Sequence, residues 1–172
     1  MNYPYKIAYT GTHGTGKTTS VLEKARDLKI LHSDKKVSII MENAADCPLP
    51  INKEGSEQTQ LWMFSSMMSR EIEMSTKYDI VVCDRTVCDS IAYSISNGFE
   101  DLAEAQLRVA AKHVESYDAI IFKTIENNNW WFKDGLRDIN DSDWRFSVEK
   151  ILRGIYDRLI DEFDCKLNIT VI

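Results

Sequence analysis

The chain has 172 residues, 44% of them hydrophobic, with three prolines and 21 basic against 27 acidic side chains, a formal charge of −6. That length and apolar share predict one domain over residues 1–172. The acidic balance argues against wide coating of a nucleic acid, and the longest apolar runs, such as Ile80–Cys83 and Ala119–Phe122, fall far short of the roughly 18 residues a membrane span needs.

Met1 to Lys6 leads into the first apolar run with no basic flank, signal region or small-residue cleavage site, which predicts a cytoplasmic protein. Lys6–Thr10 is a β-rich run that ends in glycines. Lys17–Leu31 carries Val21, Leu22, Ala25 and Leu28 at helical spacing. Val37–Met41 reads as a second strand, and Cys47-Pro48-Leu49-Pro50 breaks the chain into a loop. Ser56–Thr76 is a long helix whose inward face is predicted to hold Leu61, Phe64, Met68 and Ile72. Ile80–Cys83 is a third strand, Asp89–Ser96 a short helix, and Asp101–Ser116 a helix with Leu102, Ala105, Val109, Ala110 and Val114 facing inward. Ala119–Phe122 is a fourth strand, and residues 123–142 are irregular. Asp143–Phe163 is a helix with Phe146, Ile151, Ile155 and Leu159 inward, and Asn168–Ile172 is a fifth strand.

Strands that are apolar on both faces and alternate with helices imply a parallel sheet covered on both sides. Ligands in such sheets bind at the carboxyl ends of the strands. Cys47, Cys83, Cys88 and Cys165 form no C-x-x-C pair and the three histidines are dispersed, which predicts reduced thiols and no transition-metal site.

Gly11-Thr12-His13-Gly14-Thr15-Gly16-Lys17-Thr18 fits G-x-x-x-x-G-K-[ST] between a strand and a helix, the context of a triphosphate-binding loop. Its glycines permit positive φ and close backbone approach, and the helix N-terminus adds partial positive charge. The motif predicts ATP held by residues 11–19, from Gly11 to Thr19, with Lys17 reaching the β- and γ-phosphates and Thr18 holding Mg²⁺. His13 reads more as a permissive loop side chain than as a phosphate contact. Asn52-Lys53-Glu54-Gly55 lacks the final Asp of the guanine motif N-K-x-D, and D-x-x-G is absent, which disfavours a GTPase.

Asp84-Arg85 ends the third strand and is followed by Ser90, Ala92 and Tyr93. This strand-D-R…S-x-A-Y pattern resembles thymidylate kinases. An Asp there can enter the Mg²⁺ shell, and the Arg can hold an acceptor phosphate or the transferring group. Thymidylate kinases carry Arg-Glu-Pro after the second strand, where this chain has Met41-Glu42-Asn43; a lone Glu is more similar to deoxynucleoside kinases and nicotinamide riboside kinases. Lys133-Asp134-Gly135-Leu136-Arg137 also resembles the D-G-x-R lid of the riboside kinase group. The resemblance implies a P-loop three-layer sandwich, a five-stranded parallel sheet of order 2-3-1-4-5, and a small lid over about residues 124–145.

On that basis the chain is expected to be an ATP- and Mg²⁺-dependent kinase of a nucleoside or nucleoside monophosphate. Glu42 would accept or orient the acceptor's proton, and Arg137 and Arg145 would close over the phosphates, unless they pair with nearby aspartates. The long helix offers Gln58, Gln60, Trp62 and Arg70, of which Gln58, Trp62 and Arg70 are the candidate acceptor contacts, while Trp130 and Trp131 would anchor the lid or cover a ring. Two alternatives stay open: a kinase acting on a hydroxyl within DNA or RNA, and a regulatory ATPase without an acceptor. Assembly as a homodimer stays open too.

Overall fold

A computed structural model of the chain describes residues 4–126 and 142–172. Five strands, β1 (Tyr5–Thr10), β2 (Val37–Ile40), β3 (Ile80–Asp84), β4 (Ala119–Phe122) and β5 (Ile169–Val171), form one parallel sheet in the order β2-β3-β1-β4-β5, as expected. β1 lies between β3 and β4, with Ile7 opposite Val82 on one side and Ala119 on the other. The β1 and β3 carboxyl ends, Thr10 and Asp84, therefore open side by side. No helix among the described residues is long and apolar enough to cross a membrane.

Alternation along the strands divides the core in two. Ile7, Tyr9, Ile80 and Val82 face α1 (Lys17–Leu31), which buries Val21, Ala25 and Leu28 against them. Ala8, Val81, Cys83, Ile120 and Phe122 face the opposite layer. That layer is built from α2 (Glu57–Lys77), α3 (Val87–Ser96), α4 (Glu100–Ala110) and α5 (Ser142–Asp161). It contributes Phe64, Met67, Ile91, Leu107, Leu152 and Leu159. Cys83, Cys88 and Cys165 are buried and Cys47 is half-buried; all four are free thiols, and burial raises the pKa of the three buried ones.

The helix faces correct the sequence reading. On α2 the buried positions are Thr59, Gln60, Phe64, Met67 and Glu71, while Leu61 and Ile72 stand 51% and 55% exposed. On α4 Ala103, Gln106, Leu107 and Ala110 turn inward, leaving Ala105 and Val109 exposed. On α5 Phe146 is exposed and Val148, Leu152 and Tyr156 join Ile155 and Leu159 inside; on α1 Leu22 is half exposed. Apolar periodicity misplaces α2 and α4 because their inward faces carry Gln60, Glu71 and Gln106, polar groups that find buried partners. Gln106 Nε2 donates to the Gln60 carbonyl at 3.1 Å, and its amide oxygen accepts from Ser94 Oγ at 2.7 Å.

Ser56 caps α2 through a reciprocal pair with Thr59 instead of joining the helix. α4 stops at Ala110, short of Ser116. Beyond it the chain tightens: Lys112 N–H bonds to the Val109 carbonyl and His113 N–H to the Ala110 carbonyl, three residues back. This turn swings His113 Nε2 to within 2.8 Å of Glu71 Oε2. Glu71 is fully buried, 3.4 Å from Lys6 Nζ, and accepts from the Tyr117 hydroxyl at 2.7 Å.

Candidate active site at the strand carboxyl ends

The turn from β1 into α1 spans Gly11–Gly16, with φ of 130°, 72° and 69° at Gly11, Gly14 and Gly16. A Cβ on Gly11 would lie 2.3 Å from the Lys123 carbonyl oxygen, so only glycine lets the turn pass β4. We expect Gly11→Ala to displace the turn and weaken ATP binding at least roughly tenfold, read by titration calorimetry, because neither its backbone angle nor its backbone neighbour can yield cheaply. Binding unchanged within about twofold would show that the turn does not hold the nucleotide.

Cations pin this turn from outside. Lys17 Nζ donates to the Thr12 carbonyl at 2.6 Å, which also accepts from Thr15 Oγ1. Arg145 donates from Nε to the His13 carbonyl at 3.1 Å and from Nη2 to the Gly14 carbonyl at 3.4 Å. Lys123 Nζ reaches the Gly16 carbonyl at 3.4 Å and Ser20 Oγ at 2.8 Å, and burial holds this ammonium below its ordinary pKa. In a trans peptide the N–H points opposite the C=O. Fixing these carbonyls on cations therefore turns the following N–H groups away from them, as an anion cradle requires. Three basic side chains thus gather at one turn of an acidic protein.

His13 is buried, not loosely placed. Its ring centroid lies 5.3 Å from that of Trp144, which is 5.7 Å from that of Tyr93, and the Tyr93 hydroxyl sits 3.4 Å from His13 Nδ1. Arg145, expected at the edge of a lid over about residues 124–145, belongs to the first turn of α5, and the helix that begins at Ser142 carries it onto the phosphate turn. Arg137, Trp130, Trp131 and most of the expected lid lie outside the described residues.

Beside the turn, Thr18 Oγ1 donates to Asp84 Oδ2 at 2.5 Å. Asp84 is 1% exposed and its second oxygen, Oδ1, is buried without a partner. One carboxylate and one hydroxyl at the foot of a phosphate cradle match the way Mg²⁺ is held, by few protein oxygens plus phosphates and waters. No group of three or more His, Cys, Asp or Glu that could cage a metal occurs among the described residues.

Arg85 follows with φ of 90°, a rare angle for a side chain of this size, fixed by its N–H on the Tyr9 carbonyl at 2.9 Å. Its Nη1 donates to Asp89 Oδ1 at 2.8 Å, its Nε lies 3.0 Å from Glu42 Oε1, and its guanidinium carbon stands 5.7 Å from the Tyr93 ring centre. Asp89 is itself locked: its Oδ2 accepts from Thr10 Oγ1 at 2.8 Å, Thr86 N–H at 2.9 Å and Thr86 Oγ1 at 3.0 Å. The sequence reading gave Asp89 no part, although the Thr86-x-x-Asp89 spacing is that of a helix cap and marks it as a reaching carboxylate.

These groups line a cleft that also includes Asn43, Thr59, Gln60 and Met63. The cleft thus brings together Glu42, Asp84 and Arg85. Gln60 lines it, whereas Gln58 is exposed and Trp62 half-buried, and neither is among its lining residues. Arg70 pairs with Asp46 at 2.9 Å outside it, and Thr19 is exposed on α1.

A family model described as AAA domain matches residues 6–165. No curated protein matches the sequence. Among solved structures, deoxyadenosine kinase from M. mycoides with bound dATP aligns at TM-score 0.68 and 17% identity, covering 98% of this chain and 90% of that one. Thymidylate kinase from Ehrlichia chaffeensis aligns at TM-score 0.66 and 17% identity over 99% of this chain and 93% of that one. Thymidylate kinase from Candida albicans gives 0.60 and 17% over 99% and 83%. At this identity the likeness is one of fold.

Proposed function

Because the chain belongs to the AAA domain family, whose model spans residues 6–165, and has the fold of P-loop nucleoside and nucleotide kinases, we propose that it is an ATP- and Mg²⁺-dependent kinase acting on a nucleoside or nucleoside monophosphate. One observation carries this reading: a cleft holding Glu42 and Arg85 adjoins the phosphate turn at Asp84. A nucleotide switch needs the turn alone. A kinase also needs a walled place for an acceptor, beside the γ-phosphate and lined by a group that can orient a hydroxyl.

In this reading Lys17 leaves the Thr12 carbonyl and moves to the β- and γ-phosphates. Thr18 and Asp84 would hold Mg²⁺, which would supply neutralisation of the phosphates' charge. Glu42 aims the acceptor hydroxyl. Since charge spreads over the transferring oxygens in a loose transition state, orientation counts for more than a strong base. Arg85 fixes the Glu42 carboxylate and borders the acceptor. Arg145, seated on the His13 and Gly14 carbonyls, keeps the cradle in shape, and Arg137 is left as the lid arginine.

The test is a coupled ADP-release assay over nucleosides, nucleoside monophosphates and short oligonucleotides. ADP formation that depends on one class of small acceptor supports the proposal. Dependence on oligonucleotides alone would make the chain a polynucleotide kinase, and turnover indifferent to every hydroxyl compound would make it a regulatory ATPase; either result rejects the proposal.

A further inference from the structure

Resting on the kinase reading, we propose that the acceptor is an uncharged nucleoside presenting a free hydroxyl, and that a nucleoside monophosphate is a poor substrate. Among the described residues that line the cleft, the charged groups are the carboxylates of Glu42, Asp84 and Asp89 and the guanidinium of Arg85. With Asp84 turned to the metal, two carboxylates still face one cation. A phosphate entering here would bring negative charge into an already negative, poorly solvated wall, whereas a sugar hydroxyl meets acceptors suited to it.

The arrangement of Arg85 points the same way. Recognition of a phosphate favours two parallel N–H donors from one guanidinium edge. Here Nη1 is hydrogen-bonded to Asp89, while Nε and Nη2, neither of which has a hydrogen-bond partner, form an edge whose Nε already faces the Glu42 carboxylate at 3.0 Å. A phosphate on that edge would be set against Glu42, whereas a neutral hydroxyl or carbonyl oxygen would not. The side chain is not free to regroup either. Its backbone is held at positive φ by the Tyr9 carbonyl, and the Asp89 carboxylate that grips Nη1 is fixed by Thr10 and Thr86. The remaining wall is neutral, with the amide of Gln60, Thr59, Asn43, Met63 and the Tyr93 ring.

The experiment compares matched pairs, each nucleoside against its own 5′-monophosphate, at saturating Mg²⁺·ATP. Like-charge juxtaposition in a desolvated site is costly enough that the best nucleoside should exceed its monophosphate by at least roughly tenfold in kcat/KM. Glu42→Gln, which removes one carboxylate, should lower nucleoside turnover and narrow this ratio by lowering the KM for the monophosphate. A carboxylate that only shaped the cleft would depress both substrates alike. Equal or better use of the monophosphate overturns this inference and leaves the kinase reading standing, whereas a lack of acceptor-dependent ADP with every pair overturns both.

Discussion

Lys17→Met is expected to reduce phosphoryl transfer by about a thousandfold or more, the scale seen when a cation on the transferring phosphate is removed. Lys17 opens α1, is buried, and already points its ammonium into the phosphate turn through the Thr12 carbonyl. Methionine keeps the aliphatic stem and removes the charge. The turn should survive the change, since the Thr12 carbonyl also accepts from Thr15 Oγ1 and the His13 and Gly14 carbonyls stay on Arg145. The measurement is kcat for the best acceptor, with circular dichroism confirming an unaltered fold. A loss smaller than about tenfold would show that Lys17 does not meet the reacting phosphate.

Glu71→Ala should cost about 3–5 kcal/mol of folding stability, the penalty for breaking a buried ion pair from one side. Glu71 sits at the opposite end of the sheet from the cleft, with Lys6, His113 and Tyr117 all turned to its carboxylate. Truncation would leave the buried Lys6 ammonium with Ser116 Oγ at 3.1 Å and the Tyr117 ring beneath it, neither of which balances its charge. A domain of this size loses roughly 2–4 °C of melting temperature per kcal/mol, so a drop on the order of 10 °C follows. Replacing Lys6 and Glu71 together by methionine should recover most of that loss, because apolar pairs of similar volume substitute well for buried ions. Denaturant unfolding checks both variants, and a single-site loss under about 1 kcal/mol would mean the pair behaves like an exposed one.

The strands and the phosphate turn were legible in the sequence because each rests on local patterns: continuous apolar runs for buried parallel strands, and glycines bracketing a Lys-Thr pair at a strand-to-helix junction; the strand order came from the resemblance to P-loop kinases. Helix rotation was not. Gln60, Glu71 and Gln106 look like solvent-facing residues by type, yet each is buried against a partner remote in sequence, so the inward faces of α2 and α4 lie off the apolar stripe. Gln58 and Trp62, expected as acceptor contacts, are not among the residues lining the cleft, whereas Gln60 is. Glu42, Asp84 and Arg85 were singled out from their places at strand ends, and the fold brings them to one wall. Asp89 and the positive φ of Arg85 escaped because they depend on how Thr10 and Tyr9, in another strand, meet the start of α3. Arg145 was recognised as a phosphate-side cation at the edge of the expected lid, and its seat on the His13 and Gly14 carbonyls depends on how α5 meets the turn after β1.

The central claim is that Lys17, Thr18 and Asp84 present a γ-phosphoryl group to a hydroxyl held beside Glu42. Its most direct measurement is product identification after incubation with γ-labelled ATP, Mg²⁺ and a nucleoside panel. The account predicts label on a phosphorylated nucleoside, formed in step with ADP and missing with Lys17→Met. Label appearing only as inorganic phosphate, at a rate that no added acceptor alters, would contradict it.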